Sequence, residues 1–185
     1  MSTCLKRKLS DMTQTEQACH GILTRSGELY QWTGMDSSVL AFSAKISTII
    51  HATEDPEKVA KAIRNLSLGE MPLGSTVNRA KGHHGNEIVT VVFTIRNAKN
   101  VEGFLRNIWN GLSQLDRTEV HSSLTSRIDN AGTLFLRIDK QDALRGKIRL
   151  QDTDPIKIAI SFRAISPKGG GFVDNVQKWL EAIQS

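Results

Sequence analysis

Regular alternation of apolar and polar residues begins at Lys45. Upstream of it, Ile22, Leu23, Leu29, Tyr30, Trp32, Val39, Leu40 and Phe42 are scattered among polar residues, with no sustained period of 2 or 3.6. Residues 1–44 are therefore expected to form a loosely structured N-terminal arm. Met35, at the head of MDSSVLAFSAKISTII, reads as a second candidate start for the folded body. KISTIIHA alternates and is β-branched, which predicts a strand. TEDPEKV then opens a helix. Thr53 is placed to cap it, Glu54, Asp55 and Glu57 suit the positive end of its dipole, and Pro56 is tolerated in the first turn, where its missing N–H has no partner anyway. Val59, Ala62, Ile63 and Leu66 share one face of that helix.

Past the loop LSLGEMPLGS, the runs STVNRAK and EIVTVVFTI read as two strands. The GHHGN between them offers the positive φ values of a hairpin connection. Val101, Phe104, Leu105, Ile108, Leu112 and Leu115 then follow a helical period, and Val120, Leu124 and Ile128 mark a second helix. TLFLRID, GKIRLQ and IKIAISFRA alternate strictly enough to assign faces. Leu134, Leu136 and Ile138 turn inward, as do Ile148 with Leu150, and Ile156, Ile158, Ile160 and Phe162. After SPKGGG, the residues Val173, Val176, Leu180 and Ile183 form a closing amphipathic stripe, and Trp109 and Trp179 fall beside core stripes as packing residues. The order β-α-β-β-α-α-β-β-β-α predicts an α+β two-layer sandwich over residues 45–185. In it an antiparallel or mixed sheet has helices packed on one face, and its other face is open to solvent or a partner.

Composition narrows the class. With 185 residues, 39% hydrophobic and 23% charged, the chain suits one folded core and is neither a disordered nor a low-complexity sequence. No run reaches the roughly 20 apolar residues that span a bilayer, and the start lacks an apolar stretch behind its charges. Both cysteines, Cys4 and Cys19, precede the body, so they neither staple it nor complete a zinc site. A cytoplasmic protein without a membrane partner is expected. The net charge is +5, and residues 137–168 hold eight bases against four acids, an electrostatic footprint for a polyanion or a merely solvated basic face.

Period-2 arithmetic assigns candidates to the open face: Phe135 and Arg137, Lys147 and Arg149, then Lys157, Ser161 and Arg163. Cations for phosphates beside a ring for stacking are a physical solution to binding single-stranded or looped RNA. The competing reading is that exposed bases guard strands against aggregation. The turn IDKQDALRGK adds Lys140, Gln141 and Arg145, with Gly146 allowing a tight backbone; Asp139 and Asp142 offer local neutralisation instead. Lys168 in SPKGGGF brings charge to a helix start. The hairpin turn contributes Lys81, His83, His84 and Asn86 as a further RNA-contacting set. Adjacent histidines point apart, no nucleophile elbow or phosphate-loop spacing occurs, and no base accompanies either cysteine. No catalytic residue, metal or cofactor is assigned.

Three segments in order, HATEDPEKVAKAIRNL, GHHGNEIV and TLFLRIDKQDALRGKIRLQDTDPIKIAISF, resemble the archaeal RNA-binding domain family described as predicted exosome-associated subunits. The resemblance covers about residues 45–185. It implies a fold like that of the ribosomal protein that binds five-S RNA, non-enzymatic RNA binding, and exosome or ribosome components as partners in RNA processing or degradation. The matching positions are His51, Glu54 and Asp55; Gly82, His84, Gly85 and Asn86; and Arg137, Asp139, Lys140, Gln141, Gly146 and Arg149. The alternative function is a protein–protein adaptor that uses the same sheet face, with RNA contact incidental.

Overall fold

The computed structural model describes residues 38–67, 75–81, 87–165 and 170–183. β1 (Val39–Ile50) leads into α1 (Pro56–Leu66), followed by the strands β2 (Ser75–Lys81) and β3 (Glu87–Ile95). Next come α2 (Ala98–Gly111), α3 (Gln114–Ser122), the single turn α4 (Leu124–Arg127), β4 (Thr133–Ile138), α5 (Lys140–Leu144), β5 (Ile156–Ala164) and α6 (Phe172–Ala182). The strands form one sheet in the order β2-β3-β1-β5-β4, and every adjacent pair is antiparallel. This is the α+β architecture that the hydrophobic pattern predicts.

The inward residues of the three central and flanking strands sit in shared rows. Leu136 pairs with Ile158, which pairs with Ile46, which pairs with Phe93; all four are buried. Over them lie Val59, Ala62, Ile63 and Leu66 of α1, Val101, Phe104, Leu105, Ile108 and Trp109 of α2, and Val176, Trp179 and Leu180 of α6, all buried. Trp179 meets Phe162 edge to face at 5.3 Å between ring centroids, a favoured aromatic arrangement. Removing this surface from water at about 25 cal/mol per Å² is what holds the helices against the sheet.

Several local expectations change. The first strand starts at Val39, so residues 39–44 belong to the sheet rather than to an arm; residues 1–37 lie outside the described residues. The register shifts between Ala41 and Ser43. That bulge leaves Ala41 and Ala44 both buried, which breaks the period-2 signal upstream of Lys45. The cap of α1 is Asp55, whose side chain accepts from the Glu57 N–H at 2.9 Å, not Thr53. Leu115 is 83% exposed in α3 instead of completing the α2 stripe.

The largest correction concerns GKIRLQ. It is not a strand of the sheet but an extended segment joined to β4 by one antiparallel bridge, Ile138 to Leu150. The Asp139 N–H donates to the Arg149 carbonyl at 2.9 Å, and the Gln151 N–H donates to the Arg137 carbonyl at 3.0 Å. The residues before it, expected to be a turn, form α5, capped by the Asp139 side chain on the Asp142 N–H at 2.7 Å. Gly146 ends that element at φ 77°, a left-handed conformation that costs glycine least.

Candidate nucleic-acid interface

Alternation along the strands turns one set of side chains into the helix layer and the other to the opposite face. On that opposite face Phe135 is 44% exposed and Phe42 39% exposed, and Lys45, Arg137, Lys157 and Arg163 are exposed as well. Two rows organise them. Phe135, Ala159, Lys45 and Thr94 are register partners across four strands, and Arg137, Lys157, Ser47 and Val92 form the next outward row. The Arg163 guanidinium lies 5.8 Å from the centroid of the Phe42 ring, within reach of a cation–π attraction. Among the described residues, no outward position of the sheet carries an acid. Arg137 reaches past the strand end to Asp152 at 2.9 Å; both side chains are largely exposed, so the pair holds the guanidinium by about 0–1 kcal/mol. Lys45 and Lys157 have no carboxylate within 4.0 Å among the described residues.

The structure therefore brings Phe135, Arg137, Lys157 and Arg163 together on one face. It adds two residues that the sequence reading missed, Lys45 and Phe42. Lys45 carries an available signal, because it alternates with the buried Ile46, Thr48 and Ile50. Phe42 carries none in a period-2 reading, since only the bulge turns it outward.

Lys147 and Arg149 lie elsewhere, beyond the β4 edge. They line a cleft of about 710 Å³ with Asn107 and Gly111 of α2, Asp116 of α3 and Asp142 of α5. Ile148, between them, fills the space over Gly111, where an added Cβ would lie 2.6 Å from the Ile148 Cδ1. Arg145 is exposed and reaches Asp142 at 3.3 Å. Gln141 is exposed beside Glu54, which precedes α1, and Lys58 within it. Lys168, His83, His84 and Asn86, and the Lys81 side chain, lie outside the described residues.

Lys140 is the clear correction among the candidates. It is 5% exposed, and its ammonium donates to the Ile49 carbonyl at 2.8 Å, to both Glu54 carboxylate oxygens at 3.0 and 3.1 Å, and to Asp154 Oδ2 at 2.7 Å. His51 Nε2 lies 3.1 Å from the other Asp154 oxygen, and the Glu54 side chain also accepts the His51 N–H at 3.0 Å. This is a buried ammonium with its partners supplied, tying β1, the start of α1, α5 and the loop before β5 together. His51, Glu54 and Asp154 have the composition of a three-ligand metal set. The Lys140 ammonium already contacts both carboxylates, so the positive charge there is the protein's own. Burial alone would raise the Asp154 carboxyl, but hydrogen bonds from Lys140 and His51 and their positive charge outweigh it and hold the group below its usual range. Asp154 sits at φ 46°, a left-handed conformation that aspartate tolerates better than most residues.

No helix among the described residues is long and apolar enough to cross a membrane. Comparison with known proteins gives the fold and the family. The chain is 33% identical over 151 residues to the RNA-binding protein PAB1135 of Pyrococcus abyssi, covering 80% of this chain and 98% of that protein. Solved structures of Mth689 from Methanothermobacter thermautotrophicus, described as a DUF54 protein, and of SSO0741 from Sulfolobus solfataricus share the fold. The first has a TM-score of 0.61 at 29% identity, over 76% of this chain and 98% of its own. The second has 0.58 at 28% identity, over 75% and 97%. The family model described as RNA binding matches residues 43–162, nearly the whole span from the β1 bulge to Phe162, and the chain belongs to that RNA-binding family, whose relatives here are archaeal.

Proposed function

We propose that this protein binds RNA on the open face of its sheet, acting by binding rather than by catalysis as an accessory factor in RNA processing or degradation. Exosome or ribosome components are the partners that such a role would supply. The observation that carries the reading is the charge of the outward rows: among the described residues, Lys45, Arg137, Lys157 and Arg163 share a face whose outward positions carry no carboxylate. Cations so arranged favour a polyanion by releasing its condensed counterions. The family membership and the name of the Pyrococcus relative support RNA as that polyanion.

The test is a salt titration of affinity for bulk tRNA and for an unstructured oligonucleotide. Lys45→Glu and Lys157→Glu are each expected to weaken binding to both RNAs and to lower the slope of log affinity against log salt by about one unit per lost phosphate contact. Affinity and slope unchanged in both variants would contradict the proposal and leave the face to a protein partner.

A further inference from the structure

Two phenylalanines on an open sheet face are not explained by folding, since burying a phenylalanine side chain is worth about 1.5–3 kcal/mol. Both are far from buried here, Phe135 at 44% and Phe42 at 39% exposure. For Phe42 the backbone itself makes the exposure. Ala44 faces inward, so unbroken alternation would send residue 42 inward too; the register shift between Ala41 and Ser43 reverses it and buries Ala41 instead. A bulge that re-aims one side chain is a recurring device beside functional sites.

What lies between the rings is equally specific. Phe135 and Lys45 share a row with Ala159 between them, so a small side chain floors the space separating ring and ammonium. Toward Phe42 the next outward row is Thr133, Ser161 and Ser43, all small and polar, whereas Lys157 and Ser47 lie on the far side of the Phe135 and Lys45 row. With strands about 4.8 Å apart and about 3.3 Å per residue along each, the two ring-bearing positions are separated by roughly 12–13 Å. That gap suits two extended nucleotides, not two adjacent stacked bases. Arg163 over Phe42 widens that end into a composite platform, because guanidinium planes also stack on bases.

We infer that Phe42 and Phe135 are base-stacking platforms, one along the strand from Lys45 and one across its row, with Lys157 beyond them, and that the face selects unpaired RNA over duplex RNA. This rests on the proposed RNA reading and deepens it: the cations take phosphates of any RNA, whereas the rings take only bases free of a partner. A duplex offers its backbone to the lysines but keeps its base faces stacked inside the helix.

The experiment measures fluorescence anisotropy of a 5′-labelled unstructured 12-mer RNA and of a 12-base-pair duplex RNA at matched ionic strength. Wild type, Phe135→Leu, Phe42→Leu and Phe135→Trp are compared. Each leucine variant is expected to lose roughly five- to 150-fold in affinity for the unpaired 12-mer, the range for one base stack. Its salt slope and duplex affinity stay unchanged, because no phosphate contact is removed. Phe135→Trp, which keeps an aromatic ring, is expected to retain wild-type affinity for the 12-mer. Circular dichroism and urea midpoints establish that the variants fold; leucine keeps the apolar volume. Binding that depends on Lys45 and Lys157 but ignores both rings, or equal affinity for the two RNAs, overturns this inference and leaves the RNA reading standing. Failure to bind either RNA overturns both.

Discussion

Replacing Lys140 with methionine keeps most of the stem and deletes the ammonium, which separates a structural lysine from an RNA-contacting one. The ammonium makes four contacts of 2.7–3.1 Å, to Ile49, Glu54 and Asp154. Its loss leaves the Ile49 carbonyl without that donor and two carboxylates facing one another without their cation. Removing one partner of a fully buried pair costs about 3–5 kcal/mol. Here the lysine side chain is 4% exposed, but Glu54 is 18% and Asp154 40% exposed, so water can reclaim part of the carboxylate charge. The expected loss is therefore about 2–3 kcal/mol, below the fully buried range. With a urea dependence of about 1–3 kcal/mol per molar, the midpoint should fall by roughly 0.7–3 M. The double variant Lys140→Met with Glu54→Gln should recover part of it, because one stranded charge is gone. Under conditions where Lys140→Met is still folded, its RNA affinity and salt slope should match wild type. An unchanged urea midpoint, or a reduced salt slope in the folded variant, would refute the reasoning.

Asp154 makes the same cluster sensitive to acid. Its folded-state carboxyl lies below the usual value, so in the interval between the two values the unfolded chain binds more protons and stability rises with pH. The contribution is complete above the unfolded value of about 3.9 and is lost as pH falls through the folded one. Urea midpoints measured from pH 2 to 5 should show this limb flattened in Asp154→Asn. Gly132→Ala should destabilise by at least about 1–2 kcal/mol from left-handed strain alone: its φ is 78° and the added Cβ would meet the Phe172 ring at 2.8 Å, which chemical denaturation will register. Ile158→Ala, at the centre of the buried row, should cost about 2–5 kcal/mol by the same measurement, with the cooperative transition retained.

Strict alternation in TLFLRID and IKIAISFRA was enough to place Phe135, Arg137, Lys157 and Arg163 on one face, because pairing partners on an antiparallel sheet inherit the same side. The same periodicity misled at GKIRLQ. Alternation reports which way side chains point in any extended segment, and this one pairs through a single bridge, so Lys147 and Arg149 end at a cleft on the sheet's margin. Upstream of Lys45 the bulge inserts one residue and cancels the period, which hid both the start of β1 and Phe42. Lys140 was beyond local reading altogether. Its partners are 91, 86 and 14 residues away in the chain, and a lysine beside Asp139 and Asp142 gives no sign that its charge is spent on Glu54. The family-like motifs around His51 and Lys140 thus converge on a structural tie, and the outward rows of the sheet carry the functional proposal.

Ultraviolet crosslinking of the full chain to a 4-thiouridine-labelled unstructured RNA, with the adducts located by mass spectrometry, tests that proposal most directly. Adducts on the peptides carrying Phe42 with Lys45, Phe135 with Arg137, and Lys157 with Arg163 are the predicted result. Adducts confined to the helix layer or to the cleft of Lys147 and Arg149, with the open face unmodified, would contradict it.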